Sequence, residues 1–353
     1  MNLSYISFTE RGKALAERIQ DLLGGESVCL RRGDSKKNLS LSSWTAEAFE
    51  HSQALIYIGA AGIAVRAIAP HIQSKLSDPA VIVTDEYGRF VIPILSGHWG
   101  GANELARRIA NITGGTAVIT TATDINHIFA IDTWAKARNC AIVNPEYIKI
   151  ISGELLRGGT VNIWSAYPVK GAPPENVIFS GPGGGSSGAG TGSELLSGSE
   201  NARIDIYHQK HETRKDRDFL ALVPRILILG VGCRRGIETE TLERRFETFC
   251  RERDLYPEAF DGAASIDIKS SEPGLTAFCR RHGWNSRYFS AGELRRVPGQ
   301  FHASAFVEEK TGVDNICERA AVLASGNGLL IIPKTAGDGV TFAAAAREYQ
   351  VII

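Results

Sequence analysis

The sequence predicts a multi-domain α/β protein, with parallel or mixed sheets and flanking helices in its N- and C-terminal domains. Short apolar runs ending in Gly, Thr or Asp are each followed by a segment of helical periodicity. The pattern breaks in the middle of the chain and restarts near residue 224. A length of 353 residues is about twice that of a usual domain, enough for two or three packed cores. The expected divisions are an N-terminal domain at 1–132, a middle domain at 133–223 with a Gly/Ser-rich insert, and a C-terminal domain at 224–353.

Residues 3–8 read as the first strand, and Thr9 caps a helix carrying Leu15, Ile19 and Leu22 on one face. A strand at 54–58 runs into Gly59-Ala60-Ala61-Gly62, and a helix over 63–69 follows, limited by Pro70. Strands at 80–84 and 90–95 flank Asp85-Glu86-Tyr87-Gly88, which has the chemistry of a hairpin turn. After Ser96 to Gly101 comes a helix with Leu105, Ile109 and Ile112 on one face, and a strand at 116–120 closes the unit. The middle segment is less regular. Its run from Ser180 to Gly192 buries too little apolar surface to offset its ordering entropy and reads as a flexible loop or linker. Residues 208–218 are a mixed charge run, read as a solvated loop. The β/α pattern then resumes with a strand at 224–229, the loop Gly230 to Gly236, and a helix marked by Leu242, Phe246 and Phe249. A strand at 264–268 leads to Lys269 and to Pro273 in the first turn of a helix, and an apolar strand at 328–332 precedes Lys334. Such repetition argues for parallel sheets, whose ligands gather at the carboxyl ends of the strands.

Lys+Arg and Asp+Glu number 39 each, so no broad electrostatic footprint exists for nucleic acid or an anionic membrane. The six cysteines, Cys29, Cys140, Cys233, Cys250, Cys279 and Cys317, show neither C-x-x-C nor any other zinc-type spacing, so neither a metal site nor a disulfide framework is expected. The N-terminus has no leader-like pattern and no apolar run is long enough to span a bilayer, which points to a cytoplasmic setting. Glycine is the outlier: 37 residues, about 10% against a usual level of roughly 7%.

The densest candidate site is Ser96-Gly97-His98-Trp99-Gly100-Gly101-Ala102-Asn103-Glu104 at a strand-to-helix junction. Unpaired N–H groups at a helix start favour an anion, paired glycines let a ligand approach the backbone, and His98 moves protons near neutral pH. A capped turn around a packed histidine explains the same residues. Gly59 to Gly62 with Arg66, His71 and Lys75 offers cations for carboxylates, or a small-residue packing contact. Thr120, Thr121, Thr123 and Asp124 are ligand contacts or the cap of the next helix. Gly230-x-Gly232 resembles the start of a dinucleotide fingerprint, but the third glycine, Gly236, falls one residue late. Cys233 beside Arg234 and Arg235 is either a thiolate or a small residue in a tight loop. Lys269, Glu272 and Lys334 sit in loops or at strand ends, and His127 and His302 lack ligand-like spacing.

Taken in order, Gly62-Ile-Ala-Val-Arg66, Asp78-Pro79, Asp85-Glu86-x-Gly88, Leu95-Ser-Gly-His98-x-Gly-Gly-Ala-Asn103-Glu-Leu and Thr120-Thr-Ala-Thr-Asp124 closely resemble the cobalamin biosynthesis protein G family of cobalt-precorrin-5A hydrolases. Gly230-x-Gly232-Cys-Arg-Arg-Gly, Lys269-x-x-Glu272-Pro-Gly, Phe289-Ser-Ala-x-Glu-Leu294, Gly312-Val, Glu318-x-Ala-Ala and Lys334 match its C-terminal domain. The resemblance implies an enzyme of anaerobic cobalamin synthesis that opens the δ-lactone of a cobalt tetrapyrrole and expels acetaldehyde. It implies that cobalt arrives within the substrate, that the protein binds no cofactor of its own, and that contacts with neighbouring pathway methyltransferases are transient. On that basis His98 is expected to transfer protons, Asp124 or Asp85 to orient it or activate water, and the amides of Gly100 and Gly101 to hold an oxyanion. Arg66, Lys75, Lys269 and Lys334 are expected on substrate carboxylates. The remaining expected substrate contacts are Gly59, Gly62, Ser96, Gly97, Asn103, Glu104, Thr120, Thr121, Thr123, Gly230, Gly232, Cys233 and Glu272. The alternatives are a non-catalytic tetrapyrrole-binding or hand-over protein and a nucleotide-binding regulator.

Overall fold

The computed structural model describes residues 2–30, 39–74, 77–126, 128–182, 202–210 and 219–353. Lys75, His127, most of the Gly/Ser insert and residues 211–218 of the charge run lie outside the described residues. The chain forms two compact units, Met1–Thr133 and Trp134–Ile353.

The first unit runs β1 (Leu3–Ser7), α1 (Glu10–Leu23), β2 (Glu26–Cys29), α2 (Leu41–His51), β3 (Ala54–Ile58), α3 (Ala61–Ile68), β4 (Ala80–Thr84), β5 (Phe90–Leu95), α4 (Ala102–Thr113), β6 (Thr116–Ala117) and α5 (Ala122–Ile125), and α6 (Ile131–Ala137) begins at its end. Thr9 caps α1 as the sequence predicts, its hydroxyl accepting from the Gly12 N–H at 3.0 Å. The strands form one sheet in the order β2-β1-β3-β4-β5-β6. Alternation along each strand sorts the core into two faces. Tyr5, Ile56 and Ile82 pack with Leu15 and Ile19 of α1 and Leu105 and Ile109 of α4. Ile6, Leu55, Tyr57 and Val81 pack instead on Trp44 of α2 and Ala64 and Ile68 of α3.

Strand direction decides what this sheet presents at each edge. β1 to β4 are parallel, β5 runs against β4, and β6 runs with β5. Gly59 after β3 therefore lies at the same edge as the turn after β4, where its N–H donates to the Thr84 carbonyl at 2.9 Å. The loop after β5 lies at the opposite edge, with a Cβ on Gly100 falling 3.3 Å from the Ala80 nitrogen that opens β4. The segment after β6 continues alongside β5, through a Val118 N–H to Val91 carbonyl bond of 2.9 Å, and delivers Thr120 to Asp124 to that second edge.

The second unit holds β7 (Cys140–Ile142), α7 (Ile148–Leu156), β8 (Val161–Ser165), β9 (Val169–Lys170), β10 (Val177–Ser180), β11 (Arg203–Ile206) and β12 (Leu220–Pro224). It continues with β13 (Leu227–Cys233), α8 (Thr239–Glu252), β14 (Phe260–Ile266), α9 (Pro273–Arg281), β15 (Asn285–Phe289), α10 (Ala291–Arg295), α11 (Ala305–Thr311), α12 (Cys317–Ala324), β16 (Leu329–Gly337), β17 (Val340–Ala346) and β18 (Val351–Ile352). Two five-stranded sheets, β10-β8-β11-β12-β7 and β15-β14-β13-β17-β16, account for most of it. They share one hydrophobic cluster, to which Tyr207, Phe219 and Val223 contribute from the first side and Leu227, Phe246 and Phe260 from the second. The predicted strand at 328–332 is longer in the structure. Its register shifts between Ile332 and Thr335, a bulge that accommodates Pro333 and carries Lys334 within β16 rather than past its end.

Gly230, expected as a substrate contact, is required to be glycine by packing. A Cβ there would stand 1.7 Å from the Cys317 carbonyl oxygen, so β13 crosses α12 only because the side chain is absent. Gly230→Ala is expected to cost about 1–3 kcal/mol through forced separation of these elements, read as a lower urea midpoint with an unchanged slope.

Candidate active site

Beyond Leu95 the chain folds back on itself before α4. Ser96 takes a φ of 55°, and its hydroxyl donates to the Asp78 carbonyl at 2.9 Å. Gly100 lies against Ser96 so closely that a Cβ would fall 2.4 Å from the Ser96 Cβ. This fold-back consumes amides expected to bind an anion. The Gly101 N–H donates to the His98 carbonyl at 3.0 Å, the Ala102 N–H to the Ser96 carbonyl at 3.1 Å, and the Asn103 N–H to the Gly97 carbonyl at 3.0 Å. The oxyanion role expected of Gly101 is thereby corrected: its amide is already bonded. The Gly100 N–H has no acceptor among the described residues.

The same loop turns His98 toward α5. His98 Nε2 lies 2.6 Å from Asp124 Oδ2 and 3.0 Å from Thr123 Oγ1, while Nδ1 faces Asp132 Oδ2 at 3.6 Å. Imidazole and both carboxylates are largely buried, with side-chain exposures of 19%, 16% and 14% for His98, Asp124 and Asp132. Asp132 and then Asp124 favour the imidazolium, outweighing the opposing effect of burial and raising the His98 pKa above its usual value. Burial works against ionisation of Asp124. Arg107 Nη2, donating to Oδ1 at 2.7 Å, and His98 overcome it and hold the carboxyl below the usual range. Asn103 Nδ2 donates to Asp124 Oδ2 at 2.8 Å and to Thr121 Oγ1 at 3.1 Å. A buried histidine with an acid on each side is equipped for proton transfer.

The structure thus brings together His98, Asn103, Thr121, Thr123 and Asp124 from the expected set. Ser96, Gly97 and Gly100 shape the loop. Glu104 is exposed, facing Arg107 at 3.9 Å, and Thr120 is exposed with no side-chain bond among the described residues. Asp85 does not join His98. Its oxygens accept from the Tyr87 and Phe90 N–H groups, each at 2.9 Å, and it pairs with Arg89 at 3.5 Å, so it builds the β4–β5 turn at the opposite edge. Burial opposes its charge, but these bonds keep its pKa low. Gly59 packs on Phe8, and the exposed Arg66 folds its guanidinium over Gly62, both at that same opposite edge. Asp132 and Arg107 are the residues the motifs did not reveal. Arg107 stands one turn beyond Asn103 on α4, a spacing that places it on the same face.

In the second unit, Gly232, Cys233, Lys269 and Lys334 line one cavity of about 590 Å³ beyond the ends of β13 and β14. Burial pushes the Cys233 thiol up to about 11, so it is a neutral wall residue and not the thiolate the adjacent arginines suggest. Glu272 is buried behind that wall, accepting from the Gly236 N–H at 2.8 Å and facing Lys269 Nζ at 3.4 Å. It fastens the loop and the lysine. Among the described residues no cluster of three His, Cys, Asp or Glu side chains has metal-ligating geometry, and no helix is long and apolar enough to cross a membrane.

Residues 43–124 match the family model described as Cobalamin synthesis G N-terminal, and residues 227–345 match Cobalamin synthesis G C-terminus. A Salmonella typhimurium protein named cobalt-precorrin-5A hydrolase is 34% identical over 345 residues, 93% of this chain and 93% of its own. A Priestia megaterium protein of the same name is 31% identical over 322 residues, 86% of this chain and 80% of its own. Among solved structures, CobE, a protein from the cobalamin (vitamin B12) biosynthetic pathway, is 32% identical, covering 35% of this chain and 92% of its own with a TM-score of 0.33. His98, Asn103 and Asp124 all fall inside the first matched region. With both halves of the motif set accounted for, the chain belongs to the cobalt-precorrin-5A hydrolase family.

Proposed function

We propose that this chain opens the δ-lactone of cobalt-precorrin-5A and releases acetaldehyde to give cobalt-precorrin-5B, with His98 moving the protons. The observation that carries the assignment is the placement of His98 between Asp124 at 2.6 Å and Asp132 at 3.6 Å. At 3.6 Å Nδ1 and Asp132 leave no room for a molecule between them, so water approaches the Asp132 carboxylate from beside the pair. Water adds its hydroxyl to the lactone carbonyl and gives its proton to Asp132. The imidazolium protonates the alkoxide that leaves as the lactone opens. Neutral His98 then takes that proton back from the freed hydroxyl, the carbon–carbon bond breaks, and acetaldehyde departs. The electron pair stays on the macrocycle, which accepts the proton held by Asp132. Asp124, fixed by Asn103 and Arg107, keeps the ring oriented and supports its positive form.

Proton transfer and oxyanion stabilisation supply this chemistry, so the reading calls for no protein-held metal or organic cofactor; cobalt comes and goes with the macrocycle. A reducing, cytoplasmic setting is the one this reading implies, and six unpaired cysteines support it.

With the purified cobalt lactone as substrate, and macrocycle mass and acetaldehyde scored together, His98→Ala is expected to slow release about 10²- to 10⁴-fold. A wild-type rate would remove His98 from the mechanism. Tight binding of the lactone by the wild-type chain with no acetaldehyde would favour the hand-over alternative. A second test uses pH. Because neighbouring carboxylates raise the His98 pKa, the protonated form needed for lactone opening persists to higher pH and is lost as pH rises through that value. Asp132→Asn removes the first cause of the elevation, so the alkaline limb of kcat/KM is expected to move to lower pH, while Asp85→Asn leaves it in place. An alkaline limb unmoved by Asp132→Asn excludes the role given to Asp132.

A further inference from the structure

We infer that His302 is a protein ligand to cobalt, its Nε2 taking an axial position on the metal that the substrate carries, an inference that rests on the function proposed above for the metal itself. The sequence shows no ligand-like spacing around His302. None is required for this task. A metal already ringed by the nitrogens of a macrocycle needs a single donor from the protein, as haem iron takes a proximal histidine. What marks such a histidine is its other nitrogen, held by a carboxylate or a carbonyl that fixes the tautomer and makes the free nitrogen a stronger donor.

His302 has that arrangement. Its Nδ1 lies 2.7 Å from Glu318 Oε1, and its Nε2 has no partner among the described residues. The Glu318 side chain is fully buried while that of His302 is 67% exposed, so the anion is enclosed and the imidazole reaches solvent. Backbone ties set the ring in place. The His302 N–H donates to Glu318 Oε2 at 2.8 Å, and the His302 carbonyl accepts from Asn315 Nδ2 at 3.0 Å. Asn315 Nδ2 also donates to Glu318 Oε2 at 2.6 Å, and the Lys334 N–H donates to Oε1 at 2.7 Å. Burial opposes the charge on Glu318, but the Lys334 and His302 amides overcome it and hold its pKa below the usual range. No Lys or Arg side chain pairs with this carboxylate among the described residues, so its charge acts on the imidazole. The other histidines that bond through a ring nitrogen lack the combination. Both nitrogens of His98 face carboxylates, His208 spends Nδ1 on the Tyr167 hydroxyl, and His282, paired with Glu243, stacks on Trp284 with ring centroids 4.4 Å apart.

The test adds cobalt(II) uroporphyrin III to the full chain in the absence of oxygen and records the electron paramagnetic resonance spectrum. A single axial nitrogen on low-spin cobalt(II) splits the cobalt lines into triplets. Wild-type and His98→Ala proteins are expected to show the triplets, which become doublets when the histidines carry the heavy nitrogen isotope. His302→Ala is expected to lose them, with an unchanged circular dichroism spectrum because the side chain it removes is exposed. The cobalt porphyrin is also expected to bind the wild-type chain about tenfold more tightly than the metal-free porphyrin, and His302→Ala to erase that difference. No turnover is needed. A failed hydrolase assignment therefore abolishes acetaldehyde release and leaves the triplets, whereas a failed ligand assignment removes the triplets whatever the rate of release. A wild-type spectrum without nitrogen splitting, triplets that survive in His302→Ala, or triplets lost in His98→Ala would each overturn the proposal.

Discussion

β5 runs against β4, and this reversal decides which side chains share an edge of the first sheet. Were β5 parallel to its neighbour, the loops after β3, β4 and β5 would gather at one end, the usual place for a ligand in an open α/β sheet. The hairpin forbids it. Gly88 takes a φ of 70°, its carbonyl accepts from Thr113 Oγ1 at 2.8 Å, and the Asp85 carboxylate ties down two amides of the turn. The chain leaves β5 at the edge where β4 begins, with a five-residue strand, roughly 17 Å, between that edge and Asp85. No side chain spans such a distance, which is why Asp85 and Arg66 take no part at His98.

At the His98 edge the dependencies run in sequence. Gly97 is glycine because a Cβ would stand 2.7 Å from Asn103 Oδ1. Asn103, itself buried, uses its amide on Asp124 and Thr121. Asp124 in turn holds the imidazole. The Asn103 and His98 bonds to Asp124 reach a carboxylate with little access to water, where a charge-assisted hydrogen bond is worth more than at the surface and a missing donor leaves a charge uncompensated. Arg107 is half-exposed and contributes less than its distance suggests. The amides of Gly101, Ala102 and Asn103 are spent on structure, and what the loop gives the site is aim.

Much of this was legible before any coordinates. The β/α order, the Thr9 cap and the hairpin follow from periodicity and turn chemistry, because those signals are local, whereas Asp124 and Asp85 were two options for the partner of His98 that no local signal separates. The hairpin even contained the reversal that separates Asp85 from His98, but its consequence depends on which strands pair, and pairing is not a local property. Asp132 escaped for a different reason: an acid in the first turn of a short helix is what helix electrostatics ordinarily provides, so nothing in its neighbourhood sets it apart. Gly230 and Gly59 were indistinguishable from ligand-binding glycines, since a glycine required by a neighbouring carbonyl or phenyl ring leaves the same mark in a sequence as one required by a substrate.

Charge follows the same rule of placement. With 39 cations against 39 anions, composition offers no hint of an acidic ligand. Yet acids and bases are not evenly dealt: Asp85, Asp124, Glu272 and Glu318 are all turned inward onto amides, imidazoles or a lysine. Carboxylates spent on internal bonds present little of their charge to solvent, and the cations left around one cavity then stand out locally although the total is zero. A balanced composition and a locally cationic wall coexist in this way because the chain's own anions are occupied in internal bonds.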